Sequence, residues 1–242
     1  MSLQLSMNFK KHIWSCPAEY KDLSGAREIA IDLETRDEGI SSGQGAGWAT
    51  GNGNIIGFAV AVEGWQGYYP FKHFGGGNMI PDQVKKYIKD VCALPCPKIF
   101  HNAQYDVGWL EQEGFKVNGD IIDTMIAAAI VDENRFSYSL NTLSKDYLGE
   151  IKAETDLIIA AKEHGVDPKA EMWKLPAEYV GFYAEQDARL TYLLWQQLKK
   201  EIIKQSLTTI WELESNLLPI LIAMRQRGVR VQVELAEKLR TE

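Results

Sequence analysis

The pattern of apolar and polar residues divides the chain into strand-like segments near its beginning and helical segments after them. A short apolar run at residues 28–34 predicts a buried strand. Two further runs, 54–62 and 65–71, predict a hairpin that turns at Gly64. A fourth run, 97–101, predicts another short buried strand. We therefore expect a sheet of at least these four strands.

Apolar residues at helical spacing predict the remaining elements. Helices are expected at residues 81–92, 103–113, 124–132 and 140–148, and again from Pro176 onward. Asp123 and Ser139 are the expected N-caps of the third and fourth of these helices. The glycine-rich stretch 39–53 has too few apolar anchors for regular structure and is expected to be a loop. Strands followed by a strand–helix alternation and then by helices predict an α/β domain with a mixed central sheet.

The last segment, residues 206–242, differs in character from the rest of the chain. Its pattern predicts a long amphipathic helix, a break at Gly228, a strand-like run at 229–233 and the start of another helix. A segment of this length is too short to enclose a core of its own. We therefore expect one domain over residues 1–205, followed by the truncated beginning of a second domain.

Composition and charge narrow the class of protein. Of the 242 residues, 45% are hydrophobic and 24% are charged, as in an ordinary soluble globular protein. No apolar run reaches the roughly 18 residues that span a membrane, and the first residues do not form a signal peptide. Three cysteines cannot all pair, which favours a reducing, cytoplasmic location. A net charge of −7 argues against coating nucleic acid through bulk positive charge, but allows a few phosphates to be bound through metal ions.

Two acidic residues lie on the first predicted strand. Asp32 and Glu34 are two residues apart, so their carboxylates project from the same face of the strand. Burying unpaired carboxylates costs several kcal/mol each, and the preceding apolar run therefore favours a functional role. The alternative is a solvated strand end, since Asp-x-Glu arises about once by chance in a chain of this length.

Two further pairs lie on predicted helices, four residues apart and therefore on one helix face each. Asn102 and Asp106 begin one helix, and Tyr183 and Asp187 lie on a later one. Asn102 is either a helix cap or part of a site. Tyr105, next to Asp106, either packs in the core or contacts a ligand. None of these pairs is specific when it is taken alone.

Together the three signals, on a strand, on a helix after a central strand and on a late helix, resemble the three motifs of the DEDD family of 3′–5′ exonucleases. They match the branch of that family whose third motif contains a tyrosine. Residues 123–128, 139–143 and 147–149 resemble further family segments. The resemblance covers roughly residues 28–200. It implies a ribonuclease H-like fold, in which helices flank the mixed sheet and a helical extension follows at the C-terminus.

The C-terminal segment narrows the resemblance. Residues 212–219 and 224–231 are similar to the junction at which family A DNA polymerases pass from the exonuclease domain into the polymerase domain. The chain thus resembles the proofreading domain of a bacterial or phage polymerase. This resemblance implies a single-stranded or frayed DNA 3′ end as the substrate, and a polymerase domain in the full-length protein.

The resemblance also implies a role for each residue of the site and two divalent cations, Mg²⁺ or Mn²⁺. Asp32, Glu34 and Asp187 would bind one cation, and Asp32 would bridge to a second that Asp106 also holds. Tyr183 would orient the attacking water. Candidate contacts to the DNA are the residues that flank the first two motifs, namely Leu33, Thr35, His101, Asn102 and Tyr105.

Two other functions remain open at this point. A stand-alone, RNase D-like exonuclease would use the same chemistry on RNA, and only the polymerase-like C-terminal segment favours DNA. A catalytically dead domain could serve as a scaffold, although such a domain usually loses at least one of the five residues that carry the chemistry.

Overall fold

A mixed five-stranded sheet forms the centre of the computed structural model, which describes residues 14–152 and 154–241. The strands are β1 (Ile29–Arg36), β2 (Asn54–Val62), β3 (Trp65–Pro70), β4 (Lys98–Phe100) and β5 (Ile121–Asp123). Their order across the sheet is β3-β2-β1-β4-β5. The pairs β1–β2 and β2–β3 are antiparallel, and β1–β4 and β4–β5 are parallel. The predicted mixed sheet is therefore confirmed, with one strand more than the sequence pattern indicated.

Helices make up most of the remaining structure. In chain order they are α1 (Glu38–Ser41), α2 (Gly47–Thr50), α3 (Pro81–Ala93), α4 (Ala103–Gln112), α5 (Thr124–Val131), α6 (Leu140–Leu148), α7 (Thr155–His164), α8 (Ala177–Lys204), α9 (Thr208–Arg227) and α10 (Val233–Thr241). A short 3₁₀ helix, Met172–Lys174, precedes α8. The side chains of Asp123 and Ser139 cap α5 and α6 as predicted.

The sheet has helices on both faces, and the alternation of residues along β1 assigns each side chain to one of them. Ile29, Ile31 and Leu33 pack into one apolar cluster together with α3 and α4. Ala30 packs into a second cluster, most of which comes from the long helix α8. Asp32 and Glu34 follow Ala30 in this alternation. They therefore face α8.

Two local predictions were wrong. The stretch 39–53 is not wholly irregular, because the carboxylate of Asp37 accepts hydrogen bonds from the backbone N–H groups of Gly39 and Ile40 and so starts α1. The run 229–233 does not form a strand, because it pairs with none of the strands in residues 14–152 and 154–241. Its valines are largely exposed.

The helix α9 lies partly on the sheet domain. Leu218 and Ile222 are buried in the same apolar cluster as α3 and α4. The first helix of the C-terminal segment is thus packed against the part of the chain that precedes it. Within the described residues, no helix is long and apolar enough to cross a bilayer.

Candidate active site

Asp32 and Glu34 lie on the part of β1 that extends beyond its neighbour β4. The strand β4 pairs only with Ile29 and Ala30, so the following residues of β1 have a strand partner on one side alone. Glu34 is buried, and the register of β1 against β2 shifts directly after it. The two carboxylates therefore lie where the sheet leaves room for a site, on the face covered by α8.

Asp106 is connected directly to this stretch of β1. Its Oδ1 accepts a hydrogen bond of 3.0 Å from the backbone N–H of Leu33, the residue between the two strand acids. This N–H is available because β4 has already ended. Asp106 is 5% exposed, and the bond fixes its carboxylate beside Asp32 and Glu34.

Tyr183 and Asp187 project from α8 toward the same place and share a cation. The ammonium of Lys152, in the segment between α6 and α7, lies 2.5 Å from Oδ2 of Asp187 and 3.0 Å from the hydroxyl of Tyr183. The Lys152 side chain is only 9% exposed. Its ammonium also lies 4.5 Å from the centre of the Tyr183 ring.

The pKa values of Asp32, Glu34 and Asp106 reflect the charges of neighbouring acids. Desolvation raises the pKa of Asp32 to about 7; the charge of Asp187 adds to this shift and Lys152 opposes it. Burial and the charges of Asp32 and Asp187 raise the pKa of Glu34 well above its usual range. Burial and Asp32 do the same for Asp106. Carboxylates that raise the pKa values of their neighbours create a strong demand for positive charge.

A cleft of about 460 Å³ opens onto this cluster. Of the residues predicted from the sequence, it is lined by Leu33, Glu34, Thr35, Tyr105 and Tyr183. Asp187 and Asp106 are buried close by, and Asp32 lies between them on β1. Glu34 and Tyr183 thus line the opening, and the other three acids are buried behind it.

Tyr105 is held at the wall of this cleft by two hydrogen bonds. Its hydroxyl donates to Oδ2 of Asp37 at 3.1 Å and lies 2.7 Å from Oγ1 of Thr35. Because the phenol donates to Asp37, the Thr35 hydroxyl must donate to the phenol. Both candidate DNA-contacting residues are therefore fixed in position before any substrate arrives.

His101 and Asn102 do not line this cleft. Nδ1 of His101 lies 2.8 Å from the hydroxyl of Thr124, and desolvation lowers the pKa of His101 to about 4. Asn102 occupies the N-cap position of α4 without making a side-chain cap, in the left-handed region at φ 71°. Asp123 takes over that cap by accepting from the backbone N–H groups of Asn102 and Ala103. The contacts of His101 and Asn102 with DNA remain predictions.

Two residues of the site escaped the sequence reasoning. Lys152 lies in a loop, where no periodicity could indicate that it turns inward. Asp37 follows the first motif, but its role depends on Tyr105, which is far away in sequence, and on the backbone N–H of Gly47 at the start of α2. The only local signal was an acid at the start of a glycine-rich stretch.

The donor set suits hard divalent cations, although the side chains are not yet arranged around one. Among the described residues, no three His, Cys, Asp or Glu side chains are placed to hold a metal ion as they stand. However, Oδ1 of Asp187 is buried without a hydrogen-bond partner, and Oδ2 is occupied by the ammonium of Lys152. A buried, unpartnered carboxylate oxygen next to a cation in the acid cluster is what a metal site is expected to show without its metal.

The raised pKa values predict how the stability of the metal-free protein depends on pH. An acid whose pKa is higher in the folded than in the unfolded state contributes stability that is lost as pH rises through the folded pKa. The unfolded value is about 4 and that of folded Asp32 is about 7. In EDTA, we therefore expect the urea concentration at the unfolding midpoint to decrease as the pH is raised from 6.5 to 8.5. Added Mg²⁺ should restore the midpoint.

This pH window avoids an opposing effect. Burial lowers the pKa values of His73 and His101 to about 4. Their contribution to the stability of the folded protein therefore increases as the pH rises from about 4 to about 6.5. Lys152→Met is the matched variant. Its urea midpoint should decrease more than that of the parent between pH 6.5 and 8.5, because the ammonium of Lys152 lowers the pKa values of Asp32 and Asp187. If the urea midpoint in EDTA increased as the pH was raised above 6.5, the electrostatic assignment would be contradicted.

Comparisons with known proteins place the chain among nuclease and polymerase sequences. A family model for 3′–5′ exonucleases matches residues 18–203. The DNA-directed DNA polymerase of Pseudomonas phage M6 is 38% identical over 215 residues, which cover 87% of this chain and 32% of that protein. The DNA polymerase DpoZ of Salmonella phage PMBT28 is 32% identical over 229 residues, which cover 91% and 34%. The chain thus spans about a third of the length of these relatives.

A solved structure supports the fold independently. NrnC of Brucella melitensis, determined with bound Mg²⁺, matches with a TM-score of 0.60 at 16% sequence identity. The match covers 86% of this chain and 89% of NrnC. The predicted ribonuclease H-like α/β fold is thereby confirmed.

Proposed function

Because the chain belongs to the family of 3′–5′ exonuclease domains, we propose that it removes nucleoside 5′-monophosphates from a single-stranded or frayed DNA 3′ end, as a proofreading activity. One observation supports the proposal: Glu34 and Tyr183 line one cleft, and Asp32, Asp106 and Asp187 are buried next to them. DNA is favoured over RNA because the relatives are DNA polymerases.

Two divalent cations would be held by the carboxylates. Asp32, Glu34 and Asp187 would hold the first, and Asp32 and Asp106 would hold the second. When bound, the cations supply stabilisation of the charge that develops on the attacking and leaving oxygens. The Mg²⁺ in the NrnC structure supports this choice of ion.

The protein's own groups position the water and the strand. The Tyr183 hydroxyl accepts a hydrogen bond from the Lys152 ammonium, which also lies on Asp187, and we assign it to orient the attacking water toward the scissile phosphate. Burial and the neighbouring carboxylates raise the pKa of Tyr183, so the phenol stays protonated and acts as a hydrogen-bond donor. Leu33, Thr35 and Tyr105 form the wall against which the terminal nucleotide would lie.

Lys152 would compete with a divalent cation for Asp187. Its ammonium lies on Oδ2 of that carboxylate, so a cation bound there would displace it. Once displaced, the ammonium remains near the cleft that Lys152 helps to line, where it could neutralise a phosphate oxygen of the strand. We therefore propose that Lys152 holds the acids together in the metal-free protein.

The test is a time course on single-stranded DNA and RNA of one sequence, labelled at the 3′ or the 5′ end. With Mg²⁺ or Mn²⁺, the 3′ label should be released first as a mononucleotide, and the 5′ label should move down a ladder of single-nucleotide steps. EDTA should abolish both signals, and added Mn²⁺ should restore them, because the carboxylates act through the cations.

Each other outcome contradicts a different part of the proposal. Cleavage that persists in EDTA would exclude the metal-dependent mechanism. Internal cuts would exclude an exonuclease. Faster degradation of RNA than of DNA would favour the RNase D-like alternative, and metal binding without hydrolysis of either polymer would favour a scaffold.

A further inference from the structure

A second cleft, of about 380 Å³, adjoins the active-site cleft. The two share Tyr105 as a common wall. The second cleft lies between the glycine-rich stretch and the start of α4, and α9 contributes Arg225 to it. Its volume lies within the range of roughly 300–1,000 Å³ that is usual for small-ligand sites.

The charge of this cleft is opposite to that of the active site. None of the described acidic side chains lines it, whereas the chain as a whole carries a net charge of −7. Arg225 forms no ion pair with any described residue, and its guanidinium lies 5.4 Å from the centre of the Trp48 ring. An exposed guanidinium without an acidic partner is available to bind an anion.

The other polar groups of the cleft are also available. In the described parts of the chain, the side-chain amides of Asn102 and Gln104 make no hydrogen bond, and Nε1 of the buried Trp48 has no partner. The first backbone N–H groups of α4 are already bonded to Asp123, so the end of that helix does not provide the anion site. The side chains therefore remain as the donors of this cleft.

We infer that this second cleft binds a backbone phosphate of an upstream nucleotide, on the same strand whose 3′ end occupies the active site. Arg225 contacts the phosphate, and the amides of Asn102 and Gln104 contact the neighbouring sugar or base. The inference rests on the proposed exonuclease function. Tyr105 supports it, because a strand that passes this side chain runs from one cleft directly into the other.

Substrate length provides the test. A thymidine dinucleotide without terminal phosphates contains only the scissile phosphate, whereas an octanucleotide has further phosphates upstream. Arg225→Ala should raise KM for the octanucleotide by about tenfold, which is the usual loss for one charge-assisted hydrogen bond, and much less for the dinucleotide. The dependence of log KM on log salt concentration should become shallower by about 0.7 for the octanucleotide alone.

Two matched variants complete the experiment. Arg227→Ala removes the same charge from an exposed position of α9 outside the cleft and should leave both KM values unchanged. Arg225→Lys retains the charge and should recover most of the octanucleotide affinity. If Arg225→Ala raised KM equally for both substrates, the cleft would be a site for a free nucleotide or phosphate, and the inference would be wrong.

If Arg225→Ala matched Arg227→Ala on both substrates, the inference would also be wrong, while hydrolysis by the unmodified chain would still support the proposed function. If the unmodified chain hydrolysed neither substrate, the proposed function itself would fail. In that case, direct binding of a non-hydrolysable phosphorothioate octanucleotide would still compare the two alanine variants.

Discussion

Asp32→Ala should abolish hydrolysis, with a fall in kcat of at least about a thousandfold, because it removes the carboxylate proposed to bridge both cations. The fold should remain intact. Desolvation raises the pKa of Asp32 to about 7, so the ionised carboxylate destabilises the metal-free protein above that pH. The variant should therefore unfold at a higher urea concentration than the parent at pH 8 in EDTA.

If Asp32→Ala loses activity while its stability is unchanged or increased, the loss arises from the missing carboxylate and not from unfolding. Glu63→Ala is a suitable control, since it removes an exposed acid from the turn between β2 and β3. We expect it to retain the parent rate and midpoint. Hydrolysis by Asp32→Ala at the parent rate would show that the site has been misassigned.

Asp123→Ala should cause the largest loss of stability, about 3 kcal/mol or more, because it leaves three backbone donors without acceptors. Oδ1 accepts from the N–H groups of Asn102 and Met125 at 3.0 and 2.8 Å, and Oδ2 accepts from Ala103 at 2.8 Å. The residue is 3% exposed. One carboxylate thus begins both α4, which holds Asp106, and α5. Urea unfolding measures the loss directly.

The size of this effect can be checked against two related variants. Asp123→Asn keeps one acceptor oxygen and should lose less stability than the alanine variant. Asp120→Ala removes an exposed acid close by in sequence and should stay within about 0.5 kcal/mol of the parent. If all three variants unfolded at the parent midpoint, Asp123 would not organise the two helix starts.

The sequence could predict the elements whose side chains repeat at a fixed period. Asp32 and Glu34 were found to share a face because a strand repeats every two residues, and Tyr183 and Asp187 because α8 is a long regular helix. The strand β5 was missed. It has only three residues, it continues without a break into the apolar run of α5, and it exists through its pairing with β4.

Features that depend on contacts between distant segments could not be predicted. Lys152 enters the site because α6 and α7 place their connecting segment against α8, and no local pattern encodes that contact. Asp106 was identified as a functional acid. Its hydrogen bond to the backbone of Leu33 was not foreseen, because it depends on where β4 ends.

The early end of β4 has a consequence for which residues can occupy position 33. The backbone N–H of Leu33 donates to Asp106 rather than to a second neighbouring strand, so this contact does not depend on the side chain at position 33. Nineteen of the twenty amino acids supply that N–H, and proline does not. A position that lies between two functional acids thus restricts substitution through its main chain, in addition to the apolar packing of its side chain.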